Sequence, residues 1–491
     1  MGTSIQNLNL TSADFNGDEY EGCNEYLNIT SPQNIELVHK SFIDVGADII
    51  ETNSFGGTPM VLDEYGLSDK AEEINYMASK IAKRVANKSS DILVAGSMGP
   101  TTKLLGLTQI KTADITFDYL VENYRIQARG LIDGGADFLL IETSQDILNV
   151  KAAIEGINSA KSDLSNNSIP FAVQCTIENM GTTLSGQDIE TFYLTIRHHD
   201  MLWVGMNCAT GPKFMREHLR TLNQISTHPI SLIPNAGLPD ETGMYNESPI
   251  EFSKTIKEYI DYGWVNIIGG CCGTEPEHIN ELKNITKNIT PVFDFDSNTN
   301  KIKSSHYTTG LETLYVDEDT KPILVGERTN VLGSRKFKRL IENDDFDQAS
   351  EIGKLQINSG ANVLDVCLQN TDRNEIDDIK IFLEKLTAKI KAPIMIDSTD
   401  PEVIKESLKL CPGKIIINSI NLEDGEDKFQ DIIPHAKNFG ASIIIGCIDE
   451  DKEQAQAITR QRKLEIAKRS YDLLVNKYQF PGNHIIFDPL T

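Results

Sequence analysis

The sequence predicts an α/β protein made of two consecutive (β/α)8-type barrels, and two observations lead to this fold class. Short apolar runs alternate with amphipathic stretches along nearly the whole chain, the pattern of parallel strands joined by helical crossovers. Polar residues and glycines follow nearly every apolar run, as expected where strands end at the open face of a barrel. The alternative is an open, doubly wound sheet in each half of the chain.

The first half of the chain contains seven predicted strands. They lie at 47–51, 92–96, 138–142, 171–176, 202–207, 230–234 and 265–269. Amphipathic stretches such as 115–133 and 146–158 lie between them, with apolar residues at helical spacing. Because a closed barrel of this type has eight strands, we expect the first barrel to lack its opening strand.

A polar, strand-poor run at about 288–321 separates the two halves and looks like a linker. The alternation then resumes with six predicted strands at 323–326, 363–366, 394–396, 415–418, 442–447 and 485–487. We expect the second barrel to lack its last strands. The predicted domains are therefore a first barrel at 1–290, a linker at 291–320 and a second barrel at 321–491.

Composition limits the classes of protein to consider. The 491 residues are 40% hydrophobic and 24% charged, which is ordinary for a globular protein of two or more domains. A formal net charge of -26 argues against a nucleic-acid-binding surface. No run approaches the ~20 apolar residues of a membrane span, and the N-terminus does not read as a signal peptide. Eight cysteines in a chain of this kind predict reduced thiols in a cytoplasmic protein without a membrane partner.

Three cysteines carry the strongest functional signal. Cys208 follows one predicted strand, and the pair Cys271 and Cys272 follows another, within glycine-rich runs. Three thiolates can occupy three corners of a zinc tetrahedron and leave the fourth open, which is typical of a catalytic site. Such a centre suits the binding of a substrate sulfur as its thiolate. The alternative is a set of buried, inert thiols.

Other polar residues follow the first-half strands. Glu142 is a candidate for holding a substrate ammonium group, and its alternative is an ordinary capping or ion-paired carboxylate. Asn235 lies between Pro234 and an Ala-Gly pair, so it is either a site amide or a turn residue. The nine histidines are scattered without metal-ligand spacing.

The second half has carboxylates and amides at its strand ends in place of cysteines. These residues are Glu327, Asn330, Asp365, Asp397, Asn418 and Asp488. A ring of acceptors and amides suits a flat heterocycle rich in N–H donors and carbonyl groups, such as a pterin. Other polar small molecules would meet similar groups.

Together these motifs resemble the N-terminal half of the cobalamin-dependent methionine synthase family. In the first half the matching runs are Glu-Thr-Asn53-Ser-Phe-Gly, Ile-Glu142-Thr, Asn-Cys208-Ala, Pro-Asn235-Ala-Gly and Gly-Gly-Cys271-Cys272-Gly-Thr. In the second half they are Val-Gly-Glu327-Arg-Thr-Asn, Met-Ile-Asp397-Ser, Ile-Asn418-Ser and Ile-Phe-Asp488-Pro. The resemblance covers essentially the whole chain.

The resemblance implies a homocysteine-binding zinc barrel followed by a methyltetrahydrofolate-binding barrel. The implied zinc ligands, which are also the catalytic residues, are Cys208, Cys271 and Cys272. The implied homocysteine contacts are Glu142, Asn235, Gly2 and Thr3. The six second-half residues would hold the pterin. The methyl group would pass through cobalamin, carried on a domain missing from this chain, to homocysteine, giving methionine.

Two features depart from the family pattern. The family's first barrel begins with a Leu-Asp-Gly run before the Met-Gly-Thr with which this sequence starts. Cys367 stands where the family often has asparagine, which removes one possible pterin contact. Two alternatives therefore stay open: a cobalamin-independent homocysteine methyltransferase with another methyl donor, and an inactive zinc-binding fragment.

Overall fold

The structure, a computed structural model, describes residues 1–88, 91–107, 115–165, 168–290, 293, 306–451, 453 and 455–490. The chain divides into two compact units. The first contains the described residues of Met1–Leu105, Ile110–Tyr193 and Asp200–Lys301, and the second those of Gly106–Gln109, Leu194–His199 and Ile302–Thr491. No helix within the described ranges is long and apolar enough to cross a membrane.

Seven parallel strands form the sheet of the first unit, in the order in which they occur along the chain. They are β1 (Ile49–Glu51), β2 (Leu93–Met98), β3 (Phe138–Ser144), β4 (Phe171–Cys175), β5 (Val204–Asn207), β6 (Ile230–Ile233) and β7 (Ile267–Ile268). All seven predicted strands are confirmed. Since the strands are parallel, their carboxyl ends lie at one edge of the sheet. Residues of β1 and β7 line one cavity, so the sheet curls.

Helices connect these strands. Their bounds are Gly2–Gln6, Leu27–Thr30, Pro32–Asp44, Pro59–Leu62, Ala71–Ala86, Phe117–Asp133, Ile147–Asp163, Ile189–Ile196, Arg216–Ile225, Pro249–Asp261 and Pro276–Thr286. Side chains of Thr116, Asp146 and Ser248 cap three of them by accepting hydrogen bonds from first-turn amides. Ile50 of β1 packs against Ala82 and Ala86, so that face of the sheet is covered by a helix.

The second unit has a six-stranded parallel sheet, again in chain order. Its strands are β10 (Val325–Asn330), β11 (Val363–Cys367), β12 (Ile394–Asp397), β13 (Ile416–Ile420), β14 (Ser442–Gly446) and β15 (Ile485–Asp488). All six predicted strands are present. The helices are Arg335–Glu342, Phe346–Asn358, Glu375–Thr387, Pro401–Leu410, Asp427–Asn438 and Arg460–Asp472, the last continuing as a π-helical turn at Leu473–Lys477.

The run predicted to be strand-poor contains a hairpin. Strands β8 (His306–Thr309) and β9 (Thr313–Val316) pair in antiparallel fashion. Tyr307 is buried, and its ring lies 6.3 Å from that of Tyr315 on the facing strand. Threonine and tyrosine favour strands although they are polar, so polarity alone misled the prediction here. Residues 291–292 and 294–305 of the predicted linker lie outside the described residues.

Candidate functional site

Three cysteine sulfurs come together at the carboxyl edge of the first sheet. The Sγ atoms of Cys208, Cys271 and Cys272 all lie within 4.8 Å of one another, and those of Cys208 and Cys272 are 3.9 Å apart. All three are free thiols. Corners of a tetrahedron with zinc–sulfur bonds of about 2.3 Å are roughly 3.8 Å apart. The described cluster therefore has the donor chemistry and the spacing of a three-thiolate metal site.

Backbone hydrogen bonds to the end of β6 hold both cysteine loops. The amide of Cys208 donates to Ile233 O at 3.1 Å, and the amide of Cys271 donates to Pro234 O at 2.8 Å. Cys208 and Ala209 both adopt positive φ, at 62° and 53°, which turns the chain sharply where β5 ends. The loops are thus fixed without any bond to sulfur.

Glycine is required beside the paired cysteines for a steric reason. Gly273 has a φ of 73°, and a Cβ added there would lie 2.2 Å from Cβ of Tyr245. A Cβ at Gly270 would lie 2.3 Å from Cγ2 of Thr274. The Gly-Gly-Cys-Cys-Gly-Thr run is therefore a close-packed turn that presents both sulfurs at the edge of the sheet.

Negative charge in the cluster concentrates on one sulfur. Hydrogen bonds from the thiols of Cys208 and Cys271 lower the pKa of Cys272 to about 3. Hydrogen bonds with Cys208 and Cys272 raise the pKa of Cys271, because its protonated thiol is the donor in both. The Tyr245 hydroxyl also donates to Cys272, and burial raises the pKa of Tyr245 to about 12. A thiolate is thus available for a metal at neutral pH.

Glu142 lies in β3 and is 5% exposed. Ser97 Oγ donates to its Oε1, and Asn207 Nδ2 donates to its Oε2 at 3.3 Å. Burial, and then the negative charge of Glu51, raise the pKa of Glu142 to about 8. A carboxylate in this setting is stabilised by a cation placed beside it.

Asn207 links this carboxylate to the cysteines, and sequence reasoning missed it. Its Nδ2 donates to Thr143 Oγ1 at 2.7 Å, and its Oδ1 accepts from the Thr143 amide at 2.8 Å. Asn207 immediately precedes Cys208, so the same side chain joins the ends of β3 and β5. Its place directly before a candidate ligand was the available signal.

A cavity of about 490 Å³ is lined by residues of β1 and β7 and reaches this edge at Glu51 and Cys271. Glu51, Gln174, Cys271 and Thr274 contribute polar groups to its wall. Apolar side chains, including that of Trp203, form much of the remainder. A cavity of this size fits a small polar molecule.

Of the other predicted homocysteine contacts, two form hydrogen bonds with the loop of the paired cysteines. Asn235 is 2% exposed, and its Oδ1 accepts from the Cys272 amide at 3.0 Å. Thr3 Oγ1 accepts from the Gly273 amide at 3.4 Å. Gly2 precedes Thr3 in the first turn of the N-terminal helix. The structure thus brings Asn235 and Thr3 to the cysteine loop, with Gly2 adjacent in the chain.

Four predicted pterin residues converge at the carboxyl edge of the second sheet. Asn330 Nδ2 donates to Asp365 Oδ2 and to Asp397 Oδ2, both at 3.1 Å. Asn418 Nδ2 donates to Asp365 Oδ1 at 3.5 Å. Burial raises the pKa of Asp365 to about 6 and also raises that of Asp397.

The other two predicted pterin residues, Glu327 and Asp488, do not share the hydrogen bonds of these four. Glu327 is an exposed residue of β10 whose charge acts on both Asp365 and Asp397. Asp488 ends β15, where its Oδ1 accepts from the Leu490 amide at 2.8 Å. Burial raises the pKa of Cys367 to about 12, so its thiol is neutral and offers only a weak donor. Glu375 was not predicted, yet its charge also acts on Asp397.

Comparison with known proteins agrees with both halves of this arrangement. Residues 1–286 match the family model of homocysteine S-methyltransferase, and residues 326–491 match that of pterin binding enzymes. This combination is consistent with the N-terminal half of methionine synthase.

Solved structures also align with part of the chain. The metallated form of the homocysteine methyltransferase MmuM from Escherichia coli aligns with 58% of this chain and 93% of its own, at 19% identity and a TM-score of 0.46. The oxidized form of the same protein gives the same coverage and identity, with a TM-score of 0.45. Since the homocysteine S-methyltransferase model matches more than half of the sequence, the chain belongs to the homocysteine S-methyltransferase family.

Proposed function

We propose that this chain belongs to a cytoplasmic methionine synthase that transfers a methyl group to the thiolate of homocysteine. Methyltetrahydrofolate is the methyl source, and cobalamin on a domain outside this chain is the carrier. The observation that carries the proposal is the cluster of three sulfurs beside a cavity and a buried carboxylate. The pterin-type match at 326–491 favours a folate donor over the other methyl donors considered for single-barrel relatives.

The three sulfurs fit a zinc ion. Cys208, Cys271 and Cys272 would hold it, since their spacing suits a tetrahedron and thiolates are preferred zinc ligands. Zinc bound there would take the substrate sulfur as a fourth ligand and keep it deprotonated at neutral pH.

The residues around the cluster would bind and orient the substrate. Glu142 would accept the ammonium group. With its pKa raised to about 8 the carboxyl group is mostly protonated at neutral pH without a ligand, and a cation bound beside it would stabilise the ionised form. Ser97 and Asn207 hold that carboxylate in place. Asn235 fixes the Cys272 amide, and apolar side chains form much of the cavity wall.

In the second unit we propose that the acidic and amide side chains grip the pterin. Asp365, Asp397 and Asn418 would meet its amino and ring N–H groups, while Asn330 holds the two carboxylates at a fixed separation. With a pKa of about 6, Asp365 is mostly ionised at neutral pH and can accept hydrogen bonds from these groups. Glu327 and Asp488 would contribute from the outer parts of the same edge. We assign no residue of this chain to cobalamin.

The two-barrel architecture and the domain bounds 1–290, 291–320 and 321–491 belong to the same proposal. Both sheets are parallel and in chain order, as barrel sheets are. Completion of each barrel by further strands would give the eight-stranded form.

Metal analysis and X-ray absorption test the proposal. Anaerobically purified protein should contain one zinc per chain, and the number of sulfur ligands should rise from three to four on adding homocysteine. Cys271→Ala should lose zinc and homocysteine binding together. Cys447, a buried thiol of the second unit that directly follows β14, is the control, and Cys447→Ala should keep both. Unchanged zinc content in Cys271→Ala would show that the three-thiolate site is wrong.

A further inference from the structure

Glu51 places a carboxylate in the cavity of the first unit, and its charge acts on Glu142. It is the last residue of β1, and its register partner in β2 is Ala95. Successive side chains of a strand point to opposite faces. Ile50 packs against the covering helix, so Ile49 and Glu51 face the other way, where both line the cavity together with Cys271.

The Glu51 carboxylate has no hydrogen bond or ion pair within the described part of the chain. Glu142, by contrast, accepts from Ser97 and Asn207. Burial raises the pKa of Glu51, and the positive charge of the N-terminal ammonium of Met1 opposes that shift. An enclosed charge of this kind is costly unless a ligand or another group compensates it.

The two carboxylates act on each other. The negative charge of Glu51 is, after burial, the main reason for the raised pKa of Glu142. Two neighbouring carboxylates favour a cation between them. An ammonium group offers three donors, and Glu51 has both oxygens free to accept, whereas each Glu142 oxygen already accepts one hydrogen bond. Because a carboxylate has about four acceptor sites, Glu51 and the remaining sites of Glu142 together can accept from the three donors of one ammonium group.

We propose that Glu51 is a specificity-determining residue that shares the substrate ammonium group with Glu142. The pair selects thiols that carry an amino group over thiols of the same length that lack one. This inference rests on the proposed function, because it assumes that the substrate sulfur binds at the cysteine cluster.

Calorimetry with two thiols tests the inference on the zinc-loaded full chain. Homocysteine carries the amino group, and 4-mercaptobutanoic acid has the same thiol and carboxylate without it. Glu51→Gln should weaken homocysteine binding roughly 10- to 100-fold, as expected for losing a hydrogen bond to a charged group. Binding of 4-mercaptobutanoic acid should be unchanged, because this thiol has no ammonium group for the side chain at position 51 to contact.

Two further variants keep the result interpretable. Glu64→Gln, an exposed glutamate in the turn Asp63–Tyr65, should bind both thiols as the parent chain does. Glu51→Asp keeps the charge and should retain part of the preference for homocysteine. Zinc content and thermal unfolding of each variant check that the site has formed, and Glu51→Asp carries the test if Glu51→Gln does not fold.

Equal weakening of both thiols in Glu51→Gln, or no weakening of either, would overturn the role of Glu51. If the unsubstituted chain bound neither thiol, the proposed function would fail instead. The two failures are therefore distinguishable within one experiment.

Discussion

Both backbone conformation and packing require glycine at position 273, beside the paired cysteines. Its φ is 73°, and the Cβ of Tyr245 occupies the space that a side chain would need. Tyr245 reaches this place from a turn organised by Asp240, which accepts from the amides of Thr242 and Met244. Any side chain at position 273 therefore displaces a group that donates a hydrogen bond to Cys272.

Gly273→Ala should lower both stability and zinc retention. The φ strain costs about 1 kcal/mol, and the clash with Tyr245 adds to it. Gly243→Ala is a matched control, because Gly243 also has positive φ, at 83°, but no atom lies within 4 Å of its added Cβ. Denaturant unfolding and zinc content should show a small loss for Gly243→Ala and a larger loss for Gly273→Ala. Equal losses would mean that the contact with Tyr245 is unimportant.

Two buried bases of the second unit make its stability depend on pH. Burial, and then the nearby charges of Lys414, His198, Arg197 and His306, lower the pKa of His484 to about 2. Burial and the charge of Arg197 lower the pKa of Lys414 to about 7. In both cases the unfolded chain binds the proton more tightly than the folded chain does.

The sign of the effect follows from proton linkage. The unfolded His484 titrates near 6.5, so the stability it supports is present above that pH and is lost as the pH falls below it. Lys414 makes stability rise further between about 7 and its ordinary value of 10.5. Urea unfolding of the second unit at pH 5, 6 and 7 should show falling midpoints toward acid. His484→Gln should flatten that slope, and an unchanged slope would contradict the assignment.

At the scale of elements, β10, β11, β12 and β13 bring four polar side chains to one edge. Asn330 joins the ends of β11 and β12 through Asp365 and Asp397. The contact depends on the parallel register, in which Asn330 is paired with Cys367 and Asp397 with Asn418. Residues nearly ninety positions apart in the chain thus share one network.

Asp397→Ala should weaken methyltetrahydrofolate binding at least tenfold, because it removes a carboxylate acceptor. A hydrogen bond to a charged group contributes about 1.5–3 kcal/mol of free energy. Zinc content should not change, because the cysteines belong to the other unit. Asp431→Asn, an exposed position of the helix Asp427–Asn438, is the control and should bind folate normally. Titration calorimetry and metal analysis measure both quantities. Loss of zinc in Asp397→Ala would mean that the two units are not functionally separate.

The elements also show what sequence could and could not reveal. Strands such as β3 and β14 are runs of branched apolar residues, so their positions were readable from local pattern. The β8–β9 hairpin was missed because its threonines and tyrosines are polar. The cysteine cluster was predicted because all three residues stand at strand ends. The Asn207–Thr143 and Thr3–Gly273 contacts join distant positions and depend on register, which no local pattern encodes.

For the whole molecule, the two units separate two chemistries. The first presents soft sulfur donors and buried carboxylates, and the second presents hard oxygen acceptors and amides. Parallel strands in chain order give each unit one edge at which strand ends collect. The two sheets have the same parallel order. The residues at their strand ends therefore decide which ligand each unit binds.

The hydrogen bonds from Cys208 and Cys271 to the end of β6 have a consequence for metal exchange. Both cysteine loops are anchored to Ile233 and Pro234 through amides, so their shape does not depend on a bound ion. Small zinc-dependent domains, by contrast, unfold when the metal is removed. We therefore expect that a chelator should remove a bound ion without unfolding the protein. Cobalt or cadmium should then bind to the same three cysteines and serve as spectroscopic reporters.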